Sequence, residues 1–525
     1  MEKVYGPRRI PGEGEEARRW VSGMNMELCR PSQSDVRERC NNSPMKSLPR
    51  IIQGGMGAGV SNWRLAQAVS RLGQLGVVSS TAIDQIFVRR LGEGDPDGRM
   101  WRGVEMFPFP EMARRVWREY FVPGGKEDSA PYRATPMHTR TDARKLVELC
   151  VVSNFVEVAL ARMGHGNAVG INLLEKVQTV HLPSLYGAML AGVGYVLMGA
   201  GIPLHIPGVL DRLAAHEVTE YKLSVTGAEQ ETQMRFDPRS FAEGELPELE
   251  RPRFLAIVSS NTLATTMLRR ADGRVDGLVV ETHRAGGHNA PPRGKLQLTE
   301  VGEPVYGERD QVDFAGLRAL GVPFWLAGNY GSAERLREAL ELGAEGVQVG
   351  TAFEFAEESG LDTGLKQRVL EQVLADQAQV FTDPLASPTG FPFKVVRVEE
   401  TLSEPEVYQA RERVCDLGFL REPYVIPDEQ LSAQGQGACR IGYRCSAEPV
   451  AAYLAKGGKT AETEGRKCLC NALLANIGYP QRRADGRLEQ PLITAGDGIN
   501  DIARFLAPGR SSYSAADVIR QILES

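Results

Sequence analysis

The segment VVETHRAGGHN, residues 279–289, ends an apolar run with two histidines in a chain that has only seven. Histidine changes its protonation state near neutral pH and therefore suits proton transfer. Gly286 and Gly287 would let the backbone of this turn approach a planar ligand closely. A histidine on a loop is more often structural than catalytic, and we interpret His283 in that way. The AGG sequence favours His288 as the functional residue.

Glycine-rich turns follow four of the predicted strands, namely QGGMGAGVS (53–61), HRAGGHN (283–289), AGNYGS (327–332) and QVGT (348–351). In a parallel barrel the loops after the strands gather on one face, where ligands bind, so we expect these turns to share a site. AGNYGS also opens a helix, whose backbone N–H groups can hold an anion. Each glycine alone could merely make a tight turn, but the pair of turns predicts a phosphate site like that of flavin mononucleotide barrels, formed by Gly328, Gly331, Gly350 and Thr351.

Other nucleotide motifs are weak in this chain. No GxGxxG opens a helix after a strand, so a dinucleotide-binding Rossmann domain is not supported. GGKT, residues 457–460, lacks the earlier glycine of a P-loop. GDGIND, residues 496–501, is interpreted as a turn.

From Arg50 onward, short β-branched runs alternate with helical patterns, which is typical of repeated βα units around a parallel sheet. Ser61 and Ser332 are predicted to cap the helices that end near Gly73 and Gly343. The fold class is therefore α/β, a (β/α)8 TIM barrel with a helical insertion and a C-terminal extension. The candidate strands are RIIQG, VVSS, AVGINLL, YVLMG, PLHIPG, YKLSV, FLAIVSS, GLVVE, FWLAG and GVQVG.

The chain divides into three predicted parts. Residues 1–44 are expected to be a disordered N-terminal extension, because they mix charges with Gly, Pro and Asn. Residues 45–375 form the predicted barrel, interrupted at about 83–166 by an insertion that could be a lid or a structural elaboration. Residues 376–525 form a C-terminal region in which the strand and helix alternation fades.

Composition restricts the classes of partner. The chain is 42% hydrophobic and 24% charged, with a net charge of −6 and no basic run, which argues against nucleic acid as a partner. No apolar run is long enough to span a membrane, and the N-terminal residues lack a secretory signal. We expect a cytoplasmic protein that binds a small molecule. It could form an oligomer.

The motifs together resemble the nitronate monooxygenase family, formerly called 2-nitropropane dioxygenases. The resemblance runs from about Met45 to Gly360 and follows the family's order. Flavin-type bacterial enoyl-acyl-carrier-protein reductases are similar across the same segments. The segments that carry the resemblance are IIQGGMGAGVSNWRLAQAVSRLGQLGVVSS, VGINLL, VVETHRAGGHN, AGNYGSAERLREALELGAEGVQVGT and AFEFAEES.

The resemblance implies a barrel that binds FMN and requires no metal at the flavin. His288 matches the family's catalytic histidine, which takes a proton from the carbon beside a nitro group or orients an anionic nitronate before O2 completes the oxidation. The resemblance also implies the contacts of the flavin. Its ring would lie along Gln53, Gly54 and Met56, near Asn172 and Glu281, and its phosphate would be held by Gly328, Gly331, Gly350 and Thr351.

Two departures from the family's pattern leave alternatives open. His283 and Arg284 precede AGGH where small or acidic residues are common, and GNYG replaces the frequent GGI. Arg284 would suit an anionic substrate or the phosphate of a nicotinamide cofactor. The alternatives are an FMN-dependent reductase that uses NAD(P)H to reduce an enoyl thioester or quinone, and a flavin-binding partner protein of a synthase complex.

Eight cysteines in a chain without a secretory signal indicate reduced thiols. Most could simply be buried. Five of them lie in the C-terminal region without the spacing of a zinc ribbon, and four of the five could meet around zinc or an iron–sulfur cluster. These five are Cys415, Cys439, Cys445, Cys468 and Cys470.

Overall fold

A parallel β-barrel forms the centre of the computed structural model, which describes residues 48–427 and 440–524. The predicted N-terminal extension, residues 1–44, and Cys439 lie outside these ranges. The first ten strands, in chain order, are β1 (Ile51–Gln53), β2 (Gly76–Ser79), β3 (Val169–Leu174), β4 (Tyr195–Gly199), β5 (Thr219–Leu223), β6 (Thr232–Phe236), β7 (Arg253–Val258), β8 (Gly277–Glu281), β9 (Phe324–Ala327) and β10 (Gly346–Val349).

Within the described ranges, eight of these strands pair in parallel in the order β1-β10-β9-β8-β7-β4-β3-β2. The remaining gap between β1 and β2 is bridged by Ile52 opposite Leu75. There the backbone N–H of Gln53 donates to the carbonyl of Leu75 over 2.9 Å, and the N–H of Leu75 donates to Ile51 over 3.0 Å. The barrel is therefore closed, and the prediction of a TIM barrel is confirmed.

Helices surround the barrel. They are α1 (Trp63–Arg71), α2 (Ile83–Gly92), α3 (Arg99–Glu105), α4 (Pro110–Tyr120), α5 (Arg144–Arg162), α6 (His181–Leu190), α7 (Ile206–Ala214), α8 (Pro238–Phe241), α9 (Asn261–Arg270), α10 (Phe314–Arg318), α11 (Ala333–Glu341), α12 (Thr351–Glu354), α13 (Thr363–Leu374), α14 (Pro405–Ala410), α15 (Val450–Ala455), α16 (Leu469–Asn476) and α17 (Ala515–Glu524).

Large apolar side chains fill the barrel interior. Trp325, Val279 and Leu255 are fully buried there, and the indole Nε1 of Trp325 donates to the carbonyl of Pro49 over 2.8 Å. A second apolar layer lies between the strands and the surrounding helices. Because both faces of each strand are covered, the strands read as nearly continuous apolar runs.

Two of the ten candidate strands do not join the barrel. PLHIPG instead enters helix α7, where Pro207 occupies the first turn, a position that needs no backbone N–H donor. YKLSV contributes to β5, which pairs antiparallel with β6 in a separate hairpin. Short apolar runs do not distinguish buried strands from helix starts, which accounts for the first error.

Three of the four predicted helix boundaries are as expected. Ser332 caps α11, and Gly73 and Gly343 follow the ends of their helices with positive φ. The cap of α1, however, is Asn62, whose side-chain Oδ1 accepts from the N–H of Leu65 over 2.9 Å. The neighbouring Ser61 hydroxyl is used in the loop after β1, where it donates to the carbonyl of Gly54 over 2.8 Å.

The insertion between β2 and β3 consists of helices α2 to α5. Helix α5 packs against α1 and α6 on the outside of the barrel. Buried ion pairs fix the insertion, including Arg90 to Glu157 at 2.6 Å. His138 lies between Asp84 and Asp142, and these carboxylates raise the pKa of His138 to about 9 against the opposing effect of its burial. These contacts support the insertion as a structural elaboration.

The C-terminal region packs on the barrel. It contains the antiparallel pairs β11 (Val380–Asp383) with β12 (Phe393–Val396), and β13 (Glu422–Val425) with β14 (Ile441–Arg444). Helix α17 packs against α1 and α11. No helix in the described ranges combines the length and the apolar character needed to cross a membrane.

Candidate active site

A cavity of about 410 Å³ opens at the carboxyl ends of the barrel strands. It gathers loops that are far apart in the chain, as expected for a TIM barrel. None of its lining residues comes from the insertion at 83–166. The sequence-predicted residues that line it are Gly54, Met56, Asn172, Glu281, His288, Gly328, Gly331, Gly350 and Thr351.

Gln53 is the predicted site residue that does not line the cavity. Its side chain is fully buried beneath the floor, where Oε1 accepts from the N–H of Val77 over 2.9 Å and Nε2 donates to Ser61 Oγ over 2.8 Å. Both ends of the amide are therefore used to join β1 to β2 and to the loop after β1. Gln53 therefore lies beneath the cavity lining, where its hydrogen bonds shape the floor.

Along one wall of the cavity, glycines without side chains let the backbone pack closely against neighbouring strand ends. A side chain at Gly55 would place its Cβ 2.2 Å from Cβ of Asn172, whose amide donates to the Gly55 carbonyl over 3.3 Å. At Gly54 the nearest atoms to such a Cβ would be the Gly350 Cα and the Val349 carbonyl, each at 3.4 Å. The loop after β1 thus lies directly against the strand ends, and a planar group could approach its backbone.

The two predicted phosphate turns are neighbours at one end of the cavity. Gly328 has φ +95, and a Cβ there would lie 2.2 Å from Thr282 Oγ1, so this turn requires glycine. Ser332 caps α11 by accepting from the N–H of Arg335 over 3.3 Å. Gly331 and Ser332, at the start of α11, line the same cavity as Gly350. A helix start leaves backbone N–H groups unpaired, so this end of the cavity could hold an anion.

His288 is held at the cavity edge by the C-terminal region. Its backbone pairs antiparallel with Phe393, and its ring packs edge-on against the Phe393 ring at 4.9 Å. Its Nε2 lies 2.7 Å from Ser387 Oγ, which is 2.8 Å from Thr389 Oγ1. Within the part of the chain that is described, Nδ1 makes no hydrogen bond. Burial lowers the pKa of His288 to about 4, so the ring is neutral at pH 7.

His283 lies on the same loop but not on the cavity. It is exposed and stacks on the Tyr306 ring, with ring centres 4.2 Å apart. Its interpretation as a structural residue agrees with this position.

Two carboxyl groups line the cavity without basic partners. Burial raises the pKa of Glu281 and that of Glu354 to about 8, so both are mainly protonated at neutral pH. Glu281 was predicted from the family resemblance, whereas Glu354 was not. Its position in the buried segment AFEF, where apolar residues surround it, was the available signal.

Gln348, the first residue of QVGT, also lines the cavity, although it was not among the predicted site residues. It lies on β10, and its side-chain Oε1 is buried with no hydrogen-bond partner among the described atoms. An unpaired buried amide oxygen is costly, and a bound group with an N–H donor would satisfy it.

The GDGIND segment, interpreted above as a simple turn, forms part of the site. Gly496 lines the cavity and donates its N–H to Thr351 Oγ1 over 2.9 Å, and the N–H of Asp497 donates to the Arg284 carbonyl over 3.0 Å. The Asp497 carboxylate also forms an ion pair of 2.5 Å with the buried Lys394. The segment thereby connects the histidine loop to the phosphate turns, a contact between distant residues that no local motif indicates.

Arginines lie around the cavity. Arg335 pairs with Glu338 at 2.6 Å, and Arg504 has two more distant carboxylate partners, Asp501 at 3.6 Å and Glu334 at 3.9 Å. Arg284 forms no ion pair with any carboxylate in the described ranges. The positive charge favours an anionic ligand.

Comparison with known proteins adds an independent finding. Residues 241–386 match the family model described as nitronate monooxygenase. A probable nitronate monooxygenase of Bacillus subtilis (strain 168) is 34% identical over 134 residues, which cover 26% of this chain and 37% of that relative. The chain thus matches little more than a third of the relative's length.

Two solved structures are similar over most of their length. Nitroalkane oxidase from Streptomyces ansochromogenes has 14% identity and a TM-score of 0.44, covering 90% of this chain and 94% of its own. FabK from Thermotoga maritima has 16% identity and a TM-score of 0.43, covering 91% and 93%. The family segment contains the histidine loop and both phosphate turns, and the resemblance of this chain to the nitronate monooxygenase family is thereby confirmed.

Proposed function

We propose that this chain is an FMN-dependent oxidoreductase of the nitronate monooxygenase type, which oxidises alkyl nitronates with O2. The observation that carries the proposal is His288, a neutral imidazole that borders a strand-end cavity and keeps one ring nitrogen unpaired. The family match over residues 241–386 supports the same class of reaction.

The residues around the cavity fit FMN. The unpaired Oε1 of Gln348 needs an N–H donor, which the flavin ring contains, and the glycine wall leaves space for a planar group. The N–H groups at the start of α11, together with Gly331, Gly350 and Thr351, would hold the phosphate. Bound FMN would supply the ring that accepts electrons from the substrate and passes them to O2.

The protein's own contribution is to bind an anion and to hold a proton acceptor beside it. When Nε2 of His288 donates its hydrogen to Ser387 Oγ, Nδ1 carries the lone pair and can accept a proton from the carbon beside a nitro group. The backbone pairing of His288 with Phe393 limits movement of the ring. Arg284 would attract the negatively charged nitronate to the cavity.

A second candidate is an FMN-dependent reductase that takes hydride from NAD(P)H and reduces an enoyl thioester or quinone. The arginines at the cavity, Arg284 and Arg504, favour it because both nicotinamide cofactors and acyl thioester carriers contain phosphate groups. On this alternative the protonated Glu354 could supply a proton to the reduced substrate.

Anaerobic absorbance spectroscopy separates these functions. The purified flavin-loaded protein is mixed with an alkyl nitronate and, in a parallel sample, with NADPH or NADH. Bleaching of the flavin bands by the nitronate alone supports the first proposal, and rapid bleaching by the nicotinamide alone supports the second. A protein that binds no flavin would contradict both.

A further inference from the structure

The C-terminal region places one arginine at the phosphate end of the cavity. Arg504 belongs to a short 3₁₀ helix (Asn500–Phe505) and lines the cavity together with Gly331 and Ser332 at the start of α11. We propose that Arg504 binds the phosphate group of FMN and makes the site prefer FMN to riboflavin, which has no phosphate. This inference rests on the proposed function, and FMN is common to both candidate reactions.

Arg504 extends to the first turn of α11. Its Nη1 lies 3.9 Å from Oε2 of Glu334, the second residue of that helix, and Ser332 is the N-cap. The guanidinium is therefore close to the backbone N–H groups that would hold the phosphate. A guanidinium beside a helix start adds charge-assisted hydrogen bonds to those of the backbone.

The segment that carries Arg504 is fixed against both phosphate turns. Gly496 donates its N–H to Thr351 Oγ1 over 2.9 Å. A Cβ on Gly498 would lie 1.9 Å from Asn329 Oδ1, so the backbone of Gly498 packs directly against that side chain. These contacts limit the positions that Arg504 can take relative to the turns.

The guanidinium of Arg504 is only weakly bound within the protein. Its Nε donates to the carbonyl of Asp501 over 2.9 Å, while its Nη atoms lie 3.6 Å from the Asp501 carboxylate and 3.9 Å from that of Glu334. Both ion-pair distances exceed those of a charge-assisted hydrogen bond, and both carboxylates are more than half exposed. Such surface pairs contribute little, so a phosphate, which binds arginine through two parallel hydrogen bonds, can replace them.

The other two arginines of the cavity have different positions. Arg335 already forms an ion pair with Glu338 at 2.6 Å. Arg284 lies on the histidine loop, four residues before the candidate proton acceptor His288. We therefore assign the phosphate to Arg504.

The substitution of Arg504 by Ala should remove the guanidinium without disturbing the segment. The backbone carbonyl of Arg504 accepts from Gln521 Nε2 over 2.9 Å, and the neighbouring Ile502 and Phe505 are buried. None of these contacts uses the Arg504 side chain. A loss of FMN affinity in this variant would thus report on the side chain.

The test is the binding of FMN and of riboflavin to the flavin-free full chain, measured by flavin fluorescence in a buffer without phosphate. Arg504→Ala should bind FMN roughly 10- to 100-fold more weakly than the wild type, while its riboflavin affinity changes by less than about 2-fold. Arg504→Lys keeps the charge without the planar fork and should lose less. Arg510→Ala is the matched control, because Arg510 pairs with Glu357 at 3.4 Å outside the cavity lining.

Two results would overturn the inference alone. Unchanged FMN affinity in Arg504→Ala is the first, and it is also expected if Arg504 binds the phosphate of a nicotinamide cofactor instead. An equal loss of FMN and riboflavin is the second, since it would assign Arg504 to the shape of the cavity. A wild-type chain that binds neither flavin would overturn the proposed function as well. Because the measurement does not use turnover, a selectivity that depends on Arg504 would stand even if alkyl nitronates were not oxidised.

Discussion

The imidazole of His288 and the hydroxyl of Ser387 are 2.7 Å apart, although 99 residues separate them in the chain. Ser387 is fully buried in the C-terminal region, whereas His288 follows a barrel strand. The C-terminal region therefore fixes the orientation of the candidate catalytic ring. It does so through a neutral hydrogen bond, which leaves the ring without a charged partner.

Replacement of His288 by Ala should lower turnover of alkyl nitronates by roughly 10²- to 10⁴-fold while the flavin stays bound, because a general base contributes about that factor. Steady-state kinetics and flavin absorbance check both parts. His283→Ala is the matched control, since His283 lies on the same loop outside the cavity lining. Equal rates for the two variants would remove His288 from the mechanism.

Replacement of Ser387 by Ala should lower kcat by roughly 3- to 10-fold, about the value of one hydrogen bond, with KM and flavin content unchanged. The reason is that Nε2 of His288 loses its partner and the ring loses its fixed orientation. Thr389→Val, which alters the next hydroxyl in the series, should have a smaller effect. If Ser387→Ala lost flavin in proportion to activity, the role of Ser387 would instead be to maintain the fold of the loop that carries His288.

Replacement of Gly286 by Ala should weaken flavin binding, because the new Cβ would lie 2.8 Å from the carbonyl carbon of Ala495 and 2.9 Å from the N atom of Gly496. The histidine loop and the GDGIND segment would have to separate, at a cost of about 1–3 kcal/mol. Flavin dissociation followed by fluorescence measures the effect. Gly307→Ala has open space around its Cβ and should bind flavin normally; similar losses in both variants would contradict the clash.

The stability of the flavin-free protein should depend on Glu354. Burial raises its folded-state pKa from 4.5 to about 8. Between these values the folded state keeps a proton that the unfolded state has lost, so the free energy of unfolding falls as pH rises from about 4.5 to 8. In Glu354→Gln this contribution is absent, and the decline measured by urea unfolding should be smaller. The exposed Glu341→Gln should retain the wild-type decline. If the free energy of unfolding fell equally with pH in all three proteins, Glu354 would be ionised in the folded state.

The sequence by itself determined the barrel and most of the barrel face that carries the cavity. Short, nearly continuous apolar runs, helix caps such as Ser332 and glycines such as Gly328 act through neighbouring residues, and the strand ends of a parallel barrel necessarily share one face. The turns that contain Met56, His288 and Gly350 were therefore predicted to meet, and they do line one cavity.

Only the tertiary structure decided which polar groups form hydrogen bonds within the protein and which remain free to contact a ligand. Gln53 belongs to a glycine-rich turn, yet its side-chain amide forms hydrogen bonds with Val77 and Ser61, because β1 lies beside β2 where the barrel closes. Gly496 became part of the site because the C-terminal region packs against the barrel and brings Gly496 to Thr351, from which it is distant in the chain. Hydrogen bonds and burial depend on partners that are distant in the chain, and local sequence patterns do not encode them.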